Sequence, residues 1–193
     1  MKYYDISREL FSAELYPGDP APRPEPIRRL DTGDGYNLSA LYTGCHCGTH
    51  IDAPLHFLEG GESVDVLPLN RFLGYCSVVT VSGLITGSEI DQLLPGCEKR
   101  LLFRGNGTAY LSQSGAFALR CAGILLVGTD AISIAPPEDE TAPHQELLAA
   151  GIPVLEGLDL TGVPDGRYLL SAFPLKMRGM EASPCRAVLL SEK

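Results

Sequence analysis

The residues whose types and spacing could do chemistry are concentrated in one short segment, His46 to His56. It reads His-Cys-Gly-Thr-His-Ile-Asp-Ala-Pro-Leu-His, so three of the chain's four histidines and one aspartate lie within eleven residues. Neutral imidazole and carboxylate are ligands that zinc, manganese or iron accept. If residues 50–52 are extended, His50 and Asp52 point to the same face, because strand side chains repeat every second residue. The segment therefore predicts a metal or catalytic site.

A glycine and a proline shape this segment. Gly48 allows the backbone to turn tightly between His46 and His50, since glycine adopts conformations that other residues avoid. Pro54 ends the predicted strand, because proline has no amide hydrogen for a strand ladder. We therefore expect His56 to fold back toward the other histidines.

Two further candidate ligands lie downstream of this segment. His144 opens a predicted helix, and Glu156 interrupts an apolar strand at 153–157. A bare carboxylate is costly to bury unless it is paired or bound to metal. A solvated position at the end of the strand explains Glu156 equally well, and sequence spacing alone does not join either residue to the first segment.

The elements that must position these side chains are short. Apolar or alternating runs between turn residues predict strands, and capping patterns predict two helices. The five prolines of segment 16–26 predict an extended loop there. Many short strands with few helices indicate a single α/β domain, residues 1–193, dominated by sheet. The predicted strands are 37–43 (half-buried), 77–81, 100–103, 123–127, 168–173 and 187–190, and the predicted helices are 88–94 and 141–151.

Composition narrows the class of function. The net charge of −9 argues against a nucleic-acid partner, because phosphate binding needs clustered Lys and Arg. The N-terminal residues lack a signal-peptide pattern, and no stretch approaches the roughly 18 apolar residues of a membrane span. We therefore expect a soluble cytoplasmic protein in which all six cysteines are free thiols. Cys45 and Cys47 flank His46, and in an extended segment they would point away from the face that His46 uses, which indicates packed thiols rather than metal ligands.

The motif His-x-Gly-Thr-His-x-Asp-x-Pro-x-His at 46–56 resembles the signature of the cyclase-type metal-dependent hydrolase family. Bacterial kynurenine formamidase and isatin hydrolase belong to that family. Further blocks extend the likeness over nearly the whole chain. Residues 16–20 resemble an early Pro-Gly-Asp loop, His144 with 151–158 resembles a second metal-ligand block, and 184–188 is similar to a C-terminal strand.

Position by position, the resemblance implies a first metal held by His46, His50 and Asp52. It implies a second metal held by His144, with Asp52 and Glu156 bridging the two ions. Family members are described with one or two divalent ions, zinc or manganese. The resemblance also implies a swivelling β/β/α fold with a sheet- or barrel-like core and a homodimer or higher homo-oligomer.

The implied activity is hydrolysis of a small amide, formamide or cyclic amide by metal-activated water, with His56 as general acid/base. The sequence contains no Gly-x-Ser-x-Gly motif, the nucleophile elbow that would indicate a serine hydrolase. A lactonase or a dehydratase/cyclase could use the same metal site, and a catalytically inactive metal-binding protein is a third reading. Retention of His56 speaks against the inactive protein, because a binding site needs no proton shuttle.

Tyr16 departs from the pattern of kynurenine formamidase, which places a substrate-contacting tryptophan before the Pro-Gly-Asp loop. This chain has no tryptophan. Tyrosine keeps an aromatic face but adds a hydroxyl that seeks a hydrogen-bond partner when buried. We therefore expect Tyr16 to contact the substrate and to favour a smaller or more polar amide, imide or lactone over N-formylkynurenine.

Overall fold

The computed structural model describes residues 1–191, which form thirteen strands and three α-helices. The expected α/β class, with a sheet-dominated core and few helices, is confirmed. The strands are β1 Lys2–Asp5, β2 Arg23–Arg28, β3 Leu38–Tyr42, β4 His50–Asp52, β5 Leu73–Thr80, β6 Leu84–Ile85, β7 Arg100–Arg104, β8 Tyr110–Leu111, β9 Leu126–Thr129, β10 Val154–Glu156, β11 Gly166–Ser171, β12 Ala182–Pro184 and β13 Val188–Ser191. The helices are α1 Gly87–Leu93, α2 Gln113–Cys121 and α3 Thr141–Ala149.

Nine of these strands form one sheet in the order β1-β13-β11-β5-β7-β9-β10-β4-β12. The central run β5-β7-β9-β10 is parallel, whereas β4 and β12 continue the sheet antiparallel. Both faces of the central run are buried, as is typical of parallel strands. Leu102 and Leu155 therefore belong to one apolar cluster, while Leu101 and Val154 belong to a second cluster shared with the helices.

The predicted strand 37–43 forms but is not half-buried. It pairs with Arg23–Arg28 as a two-stranded hairpin whose strand residues are all exposed. The prolines at 24 and 26 therefore lie in a strand rather than in a loop, which an edge position tolerates because one side of each strand makes no ladder. The prediction of an extended loop holds only for residues 16–22.

Helix α2 was not predicted from the sequence. Gly115 lies inside it, and a Cβ at that position would stand 2.5 Å from the carbonyl oxygen of Ile85. Glycine is therefore required by close packing against β6, although it weakens the helical signal. The helices predicted at 88–94 and 141–151 form within two residues of the expected bounds. Within residues 1–191, every helix is too short or too polar to cross a lipid bilayer.

Candidate metal centre

The pairing of β4 with β10 brings the first segment to Glu156. In this antiparallel register His50 lies opposite Glu156 and Asp52 lies opposite Val154. Ile51, between the two candidate ligands, points into the apolar cluster on the other face. The alternation predicted from the sequence is thus observed, and His50 and Asp52 share the face that the helices cover.

Two glycines allow the loops that precede and follow these strands to touch. Gly48 and Gly157 have φ values of +65° and +64°. A Cβ on Gly157 would lie 2.3 Å from the carbonyl oxygen of Gly48, so the contact requires glycine. The hydroxyl of Thr49 links the two loops by donating a 2.6 Å hydrogen bond to the carbonyl of Gly157. The tight turn predicted at Gly48 is confirmed.

Helix α3 supplies the fourth histidine. His144, Leu147 and Leu148 are buried on one side of the helix, because residues three and four apart share a face. The two leucines pack into the helix-side cluster, and this packing aims the His144 ring at the sheet. Its Nε2 atom lies 3.3 Å from Oε1 of Glu156.

All five sequence-predicted ligands meet, in two groups that share Asp52. The first group is His46, His50 and Asp52, and the second is Asp52, His144 and Glu156. Within each group the candidate ligand atoms lie within 4.8 Å of one another. Asp52 Oδ1 lies 3.0 Å from His46 Nδ1 and 3.4 Å from His50 Nε2.

Each imidazole turns one nitrogen inward and the other toward an oxygen acceptor. Nδ1 of His50 lies 3.0 Å from the carbonyl of Gly48, and Nδ1 of His144 lies 2.7 Å from the carbonyl of Glu140. Nε2 of His46 lies 3.5 Å from a carboxylate oxygen of Glu181. An acceptor that holds one ring nitrogen as N–H leaves the other as the lone-pair donor that a metal needs.

The innermost polar atoms fit a divalent cation. Nε2 of His50 and both carboxylate oxygens of Asp52 are buried and make no hydrogen bond with any group in residues 1–191. The 3.0 Å approach of His46 Nδ1 to Asp52 Oδ1 lacks hydrogen-bond geometry. Buried groups without partners are costly. Lone pairs that converge in this way, from imidazole and carboxylate, are the donor set of zinc and manganese sites.

The electrostatics of the cluster agree with this fit. Burial alone would lower the pKa of His50, but Asp52 and Glu156 hold that pKa well above its ordinary value. Burial would lower the pKa of His144 as well, but the hydrogen bond to Glu156 and its charge outweigh burial and raise that pKa to about 9. Burial also opposes ionisation of Asp52, yet His50 and His46 keep its pKa well below the usual range. The two carboxylates, Asp52 and Glu156, thus create a negative electrostatic potential that favours a bound cation.

His56 lies beside the two groups without joining either. Pro54–His56 is a 3₁₀ turn that folds the chain back, as predicted, and places the His56 ring 4.1 Å from that of His46. Burial lowers the pKa of His56, so the ring is neutral at neutral pH and able to accept a proton. Phe57, which sequence reasoning missed, stacks on His144 at 4.4 Å and meets His56 edge-on at 4.4 Å.

A cavity of about 140 Å³ opens onto the cluster. Tyr16 lines it, together with Glu14, Glu140 and the rings of His56 and Phe57. The carboxylate of Glu140 accepts a hydrogen bond from the Tyr16 hydroxyl, which raises the pKa of that hydroxyl. The sequence-predicted substrate residue therefore faces the same cavity as the ligands, and its hydroxyl has a partner within the protein.

The two cysteines that flank His46 lie outside the ligand groups. The thiol of Cys47 is buried and donates to the carbonyl of Leu10, and Cys45 is half-buried, so neither joins the ligand groups formed by residues 1–191. Glu181, by contrast, was not singled out from the sequence, because it precedes a short strand in a segment without a motif. Its contact with His46 depends on the pairing of β12 with β4.

Comparisons with known proteins point to one family. The model of the Cyclase family matches residues 4–136. Kynurenine formamidase of Salinibacter ruber is 39% identical over 206 residues, covering 98% of this chain and 97% of that protein. Kynurenine formamidase of Polaromonas naphthalenivorans is 35% identical over 202 residues, covering 98% of this chain and 91% of that protein.

Solved structures share the whole fold. One described as a potential metal-dependent hydrolase with cyclase activity superposes with a TM-score of 0.84 at 31% identity, covering 97% of this chain and 96% of that chain. One described as a predicted metal-dependent hydrolase from Bacillus stearothermophilus gives a TM-score of 0.83 at 32% identity, covering 97% of both chains. An isatin hydrolase with bound thioisatinate gives 0.84 at 20% identity over 100% of this chain and 93% of that chain, a likeness of fold.

Proposed function

We propose that this chain, which belongs to the Cyclase family, hydrolyses the carbon–nitrogen bond of a small amide, formamide or cyclic amide. The observation that carries the proposal is the pair of ligand groups that meet at Asp52, with the uncommitted ring of His56 beside them. The names of full-length relatives support the same chemistry, because a formamidase cleaves the amide of a formyl group.

The proposed cofactor is one or two divalent ions, zinc or manganese. His46, His50 and Asp52 would hold the first ion, and His144 and Glu156 with Asp52 would hold the second. A divalent ion bound there lowers the pKa of water toward about 7 and polarises a carbonyl group. The donor set of three imidazoles and two carboxylates suits both metals.

The side chains around the cluster would perform the remaining steps. His56, neutral at neutral pH, would accept a proton from the attacking water and return it to the leaving nitrogen. Phe57 and Ile132 give the cavity apolar walls that exclude bulk water and support a planar group. Tyr16, tied to Glu140 across the cavity, would orient the substrate with its ring.

The dimer and the cytoplasmic location expected from the sequence stay predictions. The exposed hairpin supports an oligomer, because a two-stranded hairpin is only marginally stable by itself. It carries exposed apolar side chains on residues 27–42, and Leu41 is 55% exposed. A partner surface over this hairpin would bury them.

Metal content is the first test of the proposal. Purified protein is expected to contain one or two equivalents of zinc or manganese per chain, measured by elemental analysis. Chelation should abolish hydrolysis and lower the melting temperature, because an ion that binds only the folded state stabilises it. Protein that contains no transition metal and takes up none on titration would refute the proposed site.

Substrate preference tests the role of Tyr16. We expect weak cleavage of N-formylkynurenine and better turnover of a smaller or more polar amide or imide, because the Tyr16–Glu140 pair adds a polar group to the wall. Kinetics would be measured on formylated anilines, isatin, cyclic imides and lactones, for the native protein and for Tyr16→Trp. The tryptophan variant should shift the preference toward N-formylkynurenine.

Two outcomes would change this assignment. A native kcat/KM above about 10⁴ M⁻¹s⁻¹ on N-formylkynurenine, at the low end of typical enzymes, would show that tyrosine has not moved the specificity. Turnover of lactones alone would replace the amide by an ester as the substrate class while leaving the metal site in place.

A further inference from the structure

The three imidazoles of the cluster differ in what holds their outward nitrogens. For His50 and His144 the acceptor is a backbone carbonyl, that of Gly48 and that of Glu140. For His46 the neighbouring acceptor is a side chain, the carboxylate of Glu181, at 3.5 Å from Nε2. Among the imidazoles of the cluster, and within residues 1–191, His46 is therefore the one whose outward nitrogen faces a side chain, which mutagenesis can exchange.

Glu181 is well placed for this role because the sheet fixes its backbone. Its carbonyl accepts a 2.8 Å hydrogen bond from the amide of Ala53, the residue after β4. The next residue, Ala182, pairs directly with Asp52 in the register of β12 and β4. The ladder that positions the shared carboxylate of Asp52 thus also positions Glu181 on the outer side of the His46 ring.

The ring of His46 also has more freedom than the other two. Its side chain is 21% exposed, whereas those of His50 and His144 are each 3% exposed. Close packing and a backbone carbonyl therefore hold His50 and His144, whereas the ring of His46 is less enclosed. Without a partner at Nε2, the His46 ring could flip or take the other tautomer, and Nδ1 would lose its approach to Asp52.

We propose that Glu181 is a positioning residue for metal binding: its carboxylate holds Nε2–H of His46 and so presents Nδ1 toward Asp52. The inference rests on the proposed function, because it assumes that His46 is a metal ligand. Carboxylates that orient ligating histidines raise the basicity of the ring as well as fixing its tautomer. The contribution of Glu181 falls on the first ligand group, since the second group does not include His46.

The test compares zinc affinity in Glu181→Ala, Glu181→Gln and the native protein. Affinity would be measured by titrating zinc into chelated protein in competition with a chromogenic chelator. Glu181→Ala is expected to weaken one bound equivalent by about 10- to 100-fold, the usual effect of losing an outer partner of a ligand. Glu181→Gln should recover much of this loss, because its amide oxygen still accepts from Nε2. Glu25→Ala removes the same charge at an exposed position of β2, outside both ligand groups, and serves as the matched control.

The tautomer of His46 gives a second readout that does not depend on turnover. In zinc-loaded native protein, nitrogen-15 NMR of labelled histidine should show Nε2 of His46 protonated, and Glu181→Ala should lose or broaden that signal. Equal zinc affinity in Glu181→Ala and native protein, with an unchanged His46 spectrum, would overturn the inference. A native protein that binds neither zinc nor manganese would instead refute the proposed function, so the two failures are distinguishable.

Discussion

Asp52→Asn is expected to remove bound metal and turnover together. Asp52 is the residue that both ligand groups share, and its two carboxylate oxygens are buried without a hydrogen-bond partner in residues 1–191. Asparagine has nearly the same shape, but it replaces one anionic oxygen with an NH₂ group that cannot bind a cation. Because loss of an outer partner alone costs about 10- to 100-fold in affinity or activity, loss of this ligand should lower kcat/KM by at least about 10³-fold.

The measurement is elemental analysis of purified Asp52→Asn together with its kinetics. Circular dichroism should show that the fold persists, and the melting temperature should no longer rise when zinc is added. Asp91→Asn, at an exposed position of α1, makes the same chemical change away from the cluster and should leave metal content unaltered. Retention of both metal and activity by Asp52→Asn would exclude the proposed centre.

The first ligand segment was predictable because its geometry is local. Within eleven residues, strand alternation places His50 and Asp52 on one face, Gly48 makes the turn, and Pro54 ends the strand. Each of these steps depends on neighbours in sequence. No long-range contact is needed to recognise that the side chains of this segment converge.

Glu156 and His144 could not be joined to that segment by physical reasoning on the sequence. Their positions depend on the register of β4 with β10, two strands that lie about a hundred residues apart. A slip of one residue in that register would turn Glu156 to the opposite face. The resemblance to a family supplied the connection, and the structure then brought the residues together.

The exposed hairpin shows a different limit of sequence reasoning. Alternation of Leu38, Ala40 and Tyr42 predicted a strand correctly, but it also predicted that one face would be buried. Period-2 alternation reports that a face is suited to burial, not which surface covers it. All five residues of this strand are exposed in the described chain, so the pattern is consistent with a cover that comes from outside it.

His56→Ala is expected to keep its metal and lose turnover. His56 belongs to neither ligand group, yet its ring lies 4.1 Å from His46 and lines the cavity. Because burial lowers its pKa, the ring is in the form that accepts a proton at neutral pH. General acid/base groups typically contribute about 10²- to 10⁴-fold in rate, so kcat should fall by that factor while zinc or manganese content stays near the native value.

The comparison that gives this result its meaning is His50→Ala, which should lose metal and activity together because Nε2 of His50 faces both Asp52 and Glu156. Added imidazole offers a further discrimination. It can enter the space left by the His56 ring and should restore part of the turnover of His56→Ala, since a proton carrier need not be covalently attached. If His56→Ala instead empties the site as thoroughly as His50→Ala, His56 is a ligand, and the proton must be carried by another group of the cavity.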